Sequence, residues 1–156
     1  MKQTEAVEIF CENLERFKKS IKWLRKSFEK CKNIELKDLE LISEEELESL
    51  EALANRFGRS VDIMINKVLR GLDIVELEDT SRKLDLLIRA EKRGFVENYE
   101  ELIAMKDLRN ELVHEYIDET LIDMFKEILK EIPVLLSVYD RILKYVDRYD
   151  YCKKQR

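Results

Sequence analysis

Glycine and proline are nearly missing from this chain, with three Gly and one Pro in 156 residues. Tight turns between strands draw heavily on both, so their scarcity excludes most β architectures and points to an all-α domain. Positive charge is in deficit as well: 29 Lys and Arg against 34 Asp and Glu leave a formal net charge of -5. No global field therefore draws the chain to nucleic acid, and any RNA contact must rest on a local patch. No run approaches the roughly 18 apolar residues of a membrane span. The opening "MKQTEAVEIF" lacks an apolar signal core, which predicts a soluble protein with no membrane partner. Cys11, Cys31 and Cys152 are odd in number and lack metal-ligand spacing. They predict neither a disulfide framework nor a zinc site, and a reducing cytoplasm fits them best.

What remains is 45% hydrophobic and 40% charged residues, the material of amphipathic helices in one domain spanning 1–156. Val7, Phe10, Cys11, Leu14, Phe17, Ile21, Leu24, Phe28 and Cys31 follow a three-and-four spacing, which predicts a helix over 4–31 with Cys11 and Cys31 as small core residues. Trp23 stands off that stripe, either widening the core face or anchoring an interface. After a connector at 32–42, Ser43 and Glu46 form a capping box for a second helix that Gly71 would close, with Gly58 inside it marking close packing. Thr80 is placed to cap a third helix ending at Gly94, and Asn98 a fourth. Asp118 opens a long fifth helix kinked at Pro133, and the tail "CKKQR" is expected to fray. Four to five helices with short connectors predict an up-and-down bundle.

The chain's single histidine lies in "RNELVHEY", residues 109 to 116. With steps of 100° per residue, Leu102, Met105, Leu112, Val113 and Tyr116 fall within about 60° of Arg109. Arg109 thus sits on the core side, where a guanidinium must snorkel, find a carboxylate, or meet a ligand. His114 lies at about 140° beside Asn110 and Ile103, a second, mixed stripe suited to another surface. Each of these residues alone has an ordinary structural reading.

Together, Arg-Asn, three residues, His, one residue, Tyr resemble the signature of HEPN-domain proteins, and most of all their HepT-like toxin branch. The likeness runs from about Ala52 into the fifth helix. It implies a HEPN-like bundle that forms a homodimer with the Arg and His of both subunits at one cleft, often acting as a metal-independent endoribonuclease without cofactors. It also implies a partner, a small MNT-type nucleotidyltransferase that serves as antitoxin, in some cases by moving AMP onto the motif tyrosine. Carried over, Arg109 and His114 become the catalytic pair, Asn110 a supporting group and Tyr116 the AMP acceptor.

The chemistry suits those roles. A His near neutrality takes the proton of a 2′-hydroxyl, and Arg holds the charge that grows on the phosphate. Arg82, Lys83, Arg89, Lys92 and Arg93 offer a local cationic patch for RNA, or equally a solvated face. The lack of a Gly-rich phosphate loop and of an acidic triad argues against the chain being the nucleotidyltransferase itself. Two other readings stay open. One is a non-catalytic, substrate-binding partner subunit of a nucleotidyltransferase, and the other a helical interaction module whose motif is coincidental.

Overall fold

The computed structural model describes residues 2–112 and 118–152. Among them the chain is all-helical, with no strands. The first helix, α1, runs Gln3–Cys31 and buries Phe10, Leu14, Phe17, Ile21 and Leu24, the stripe that the spacing predicts. Beyond it lies a connector with a short 3-10 turn at Leu39–Leu41, capped by the Asp38 carboxylate. Helix α2 then runs Glu44–Ile63. Its capping box is complete: Glu46 N donates to Ser43 Oγ at 3.1 Å, and Ser43 N donates to Glu46 Oε1 at 3.0 Å.

The second helix does not stop at Gly71. It passes through a π-helical segment, Met64–Leu69, into α3, Arg70–Val75. Gly71 has a different use from the expected cap. A Cβ there would meet Phe10 Cδ1 at 3.3 Å and Phe10 Cα at 3.8 Å, so the missing side chain is what lets α1 approach α3. Pairings along the two rods run in opposite order: Phe10 faces Gly71, Ser20 faces Ser60, and Ser27 faces Arg56. They form one antiparallel hairpin.

Helix α4, Lys83–Lys92, begins two residues later than a cap at Thr80 would place it. The Asp79 carboxylate takes the local donors instead, accepting from Ser81 N at 2.9 Å and Ser81 Oγ at 3.0 Å. Gly94, at φ 85°, ends α4 as expected, because that backbone conformation suits a residue without Cβ. Asn98 caps α5, Tyr99–Glu111, by accepting from Glu100 N at 2.9 Å. The last helix, α6, spans Asp118–Arg148 and continues across the exposed Pro133; Asp118 is its first residue. It returns along α1, with the Phe17 and Tyr139 rings edge to face at 5.2 Å. Phe10, Phe17, Phe57, Phe95 and Phe125 are fully buried, and they come from three helices, α1, α2 and α6, and the loop before α5.

That return brings Cys11 and Cys152 together, 141 residues apart in sequence, and they are joined in a disulfide with Cα atoms 5.7 Å apart. The expectation of no disulfide and of Cys11 as a plain core residue is corrected. Spacing between cysteines carries no trace of a contact made by an antiparallel helix five elements later. Cys31 is a buried thiol, raised above its ordinary pKa by burial. The tail is held as far as Cys152, and Lys153 to Arg156 lie outside the described residues.

Closing a loop of this length restricts the unfolded chain by about 4–5 kcal/mol in the loop-entropy description. Reduction with a thiol, or Cys152→Ser, should therefore lower the denaturant midpoint markedly while leaving helix content intact. A midpoint indifferent to reductant would show that the bond does not form in solution.

Candidate functional site

Arg109 lies near the end of α5 and points toward α2. Across from it stands Gly58, where a Cβ would meet Leu112 Cδ1 at 3.6 Å and Arg109 Cγ at 3.7 Å. These are ordinary contact distances, so close packing does not demand glycine, contrary to expectation. What the missing side chain leaves is room. A cleft of about 510 Å³ opens between α2 and α5, with Asn55, Gly58, Arg59, Asp62, Arg109 and Leu112 among its walls.

The core-side placement of Arg109 resolves in favour of a carboxylate. Its Nη2 stands 3.6 Å from Asp62 Oδ1, and its Nη1 donates to Asn110 Oδ1 at 3.3 Å. The Asp62 oxygen also accepts from Asn66 Nδ2 at 2.8 Å, which ties the pair to the π-helical segment. The Arg109 side chain remains 33% exposed, and an ion pair this open contributes no more than about 1 kcal/mol. Arg109 is thus held but not consumed. A smaller cavity that Arg109 also lines has Asp62, Asn66, Lys83, Lys106 and Asn110 among its walls, two lysines among them. Among the described residues no group of three or more His, Cys, Asp or Glu is arranged to hold a metal ion. His114 and Tyr116 lie outside the described residues.

The five cations proposed on α4 separate. Arg82, Lys83 and Lys92 are exposed. Arg89 and Arg93 turn inward to Asp73, which is 0% exposed: Arg89 Nη1 is 2.8 Å from its Oδ2, and Arg93 Nη1 is 2.6 Å from its Oδ1. Arg93 also pairs with Glu76 at 2.8 Å. These two arginines are structural, because a buried carboxylate is tolerated only when its charge is met. The amphipathic spacing of α4 places them correctly on a helix face but cannot show that an aspartate from α3 waits beneath.

Glu76 extends the network to α6 and the chain end, accepting from Tyr145 Oη at 2.7 Å and Tyr151 Oη at 2.5 Å. Burial pushes the Glu76 carboxyl up, but the hydrogen bonds from Tyr151 and Tyr145 and the charge of Arg93 outweigh it and hold the group below the usual range. The Tyr145 hydroxyl is pushed up to about 12 by burial and by its bond to Glu76.

Sequence reasoning missed three participants. Asp62 and Arg59 line the cleft from α2, and Lys106 stands one helical turn before Arg109 on α5. Only the i, i+3 spacing of Lys106 to Arg109 was visible beforehand. Comparison of the chain with family models, with curated proteins and with solved structures finds no match.

Two substitutions test this geometry. Asp73→Ala removes the buried carboxylate that two arginines share, leaving Arg93 only Glu76 and Arg89 only Glu78, and should cost about 2–3 kcal/mol, read as a drop in the urea midpoint; a change under about 1 kcal/mol would mean that the network is not formed. Gly58→Ala should raise stability by about 1 kcal/mol through helix propensity. A destabilised Gly58→Ala would show that α2 and α5 approach more closely than described.

Proposed function

We propose that this chain is the toxin of a HEPN/MNT-type toxin–antitoxin pair, a metal-independent endoribonuclease whose Arg109 and His114 act at a homodimer cleft. The observation that carries the reading is the placing of Arg109. Its guanidinium lines an open cleft, loosely paired with Asp62 and next to Asn110 of the same motif. A phosphate can displace the Asp62 carboxylate at little cost, because the pair is exposed and at 3.6 Å makes no close hydrogen bond.

In this reading His114 takes the proton from a ribose 2′-hydroxyl, and that oxygen attacks the neighbouring phosphorus. The bond from phosphorus to the 5′-oxygen breaks, and His114 of the partner subunit protonates the departing oxygen. The products are a 2′,3′-cyclic phosphate and a 5′-hydroxyl end. Arg109 meets the charge that builds on the phosphoryl oxygens, with its planar fork suited to two of them. Asn110 steadies Arg109 through the bond its amide oxygen accepts. A cognate nucleotidyltransferase neutralises the toxin, and one route to this is transfer of AMP from ATP to the Tyr116 hydroxyl with release of pyrophosphate. The added phosphate would place negative charge on the motif and compete for Arg109.

The deciding experiment incubates end-labelled single-stranded RNA with the protein in EDTA, comparing wild type, Arg109→Ala and His114→Ala. Wild type should cut, and each variant should lose about 10²- to 10⁴-fold in rate. Failure of wild type with an unmodified Tyr116, verified by intact mass, would replace this reading with that of a non-catalytic partner subunit.

A further inference from the structure

Between Arg16 and Phe28 the sequence "RFKKSIKWLRKSF" holds six cations and no carboxylate, in a chain whose net charge is -5. The segment forms the middle of α1. Two of the six are paired, Lys18 with Glu15 at 3.0 Å and Arg25 with Asp140 at 3.6 Å. Arg16, Lys19, Lys22 and Lys26 are exposed and make no ion pair with any described residue. By the helical repeat they and Trp23 lie within about 60° of Lys19, on one solvent-facing stripe roughly 15 Å long. The helix dipole does not account for them, because its influence is confined to the terminal turns.

Trp23 stands in the middle of this stripe, 48% exposed. Lys26 Nζ lies 4.5 Å from its ring centroid, Arg56 Cζ 5.3 Å and Lys22 Nζ 5.9 Å. Arg56 is fixed from α2 by donating to Ser27 Oγ at 2.7 Å and to the Trp23 carbonyl at 3.3 Å. Three like charges gathered round one ring, with no carboxylate among these contacts, repel one another. An anion arriving between them relieves that repulsion.

Resting on the ribonuclease reading above, we propose that this face of α1 is a binding surface for single-stranded RNA, with a base stacked on Trp23 and phosphates held by Lys19, Lys22, Lys26 and Arg56. A polyanion answers the charge, and a flat aromatic among cations suits a polymer that alternates phosphates with planar bases. An acidic polypeptide would answer the charge alone. The surface is continuous with the cleft through α2, since Arg59 follows Arg56 by three residues and lines the wall opposite Arg109. A strand docked at Trp23 is thereby led toward the Arg109 cleft. The electrostatic hold lies on α1, and not on the α4 patch from which Arg89 and Arg93 are withdrawn.

Trp23 is the only tryptophan, so its emission reports directly on this surface. The probe is a 2′-O-methyl oligouridylate of twelve residues, which lacks the free 2′-hydroxyl needed for cleavage, titrated into the full chain at low salt. Quenching of Trp23 emission is expected, with affinity that falls steeply as salt rises. The exposed double variant Lys22→Glu/Lys26→Glu should bind at least tenfold more weakly with unchanged helix content. Trp23→Leu, followed by anisotropy of labelled probe, should lose about tenfold.

Binding unaffected by these substitutions, or absent in wild type, overturns the assignment. So does displacement of the probe by polyglutamate of equal charge with the Trp23 emission left unquenched, the mark of a surface for acidic protein. Cleavage of unmodified RNA separates this proposal from the one before. Wild type that binds and quenches but never cuts keeps the surface and removes the nuclease, whereas wild type that cuts while the α1 variants bind and cut equally well does the reverse.

Discussion

An amphipathic helix of 29 residues cannot stand alone in water, and α1 buries its stripe only by lying against the long rod made of α2, the π-helical segment and α3. The approach is set at Gly71, where the absence of a side chain admits Phe10. Every other element takes its position from this hairpin. Helix α6 returns along α1 and is fastened at Cys11, while α5 lies on α2 and carries Arg109 to the cleft. The two regions with functional promise, the Arg109 cleft and the cationic face around Trp23, both border the same α2 helix.

Charge divides sharply between structure and surface. Asp73 is wholly buried and is met by two arginines, so those cations serve stability and have no spare capacity for a ligand. Arg109 is held by a weaker and more open contact, and a phosphate can compete for it. The distinction lies in burial: the same guanidinium is a strut when its partner is dry and a recognition group when its partner is wet. The Asp62 pair belongs to the second kind. It orients Arg109 without neutralising its access to the cleft.

Glu76 joins α6 and the residues that follow it to this arrangement. It accepts from Tyr145 on α6 and Tyr151 beside the disulfide while pairing with Arg93 from α4. The terminal residues before Lys153 therefore belong to the packed body. A cysteine six residues beyond the wall of Val146 reaches Cys11 because the tyrosine next to it is already anchored.

Much of the architecture was legible in local sequence. The apolar spacing of α1, the Ser43–Glu46 capping box, Asn98 as a cap and Gly94 as a stop are decided within a few residues by backbone hydrogen bonding and side-chain period, so they can be read without knowing the fold. The position of Arg109 on the inner side of α5 was legible too. What the tertiary structure alone decided was partnership: that Cys11 meets Cys152, that Asp73 claims Arg89 and Arg93, that Asp62 faces Arg109, and that Arg56 crosses from α2 to Trp23. Such contacts join residues from 16 to 141 positions apart in sequence. A helical period states which face a residue occupies, but the identity of the group opposite depends on how separate helices pack, and no local pattern contains that.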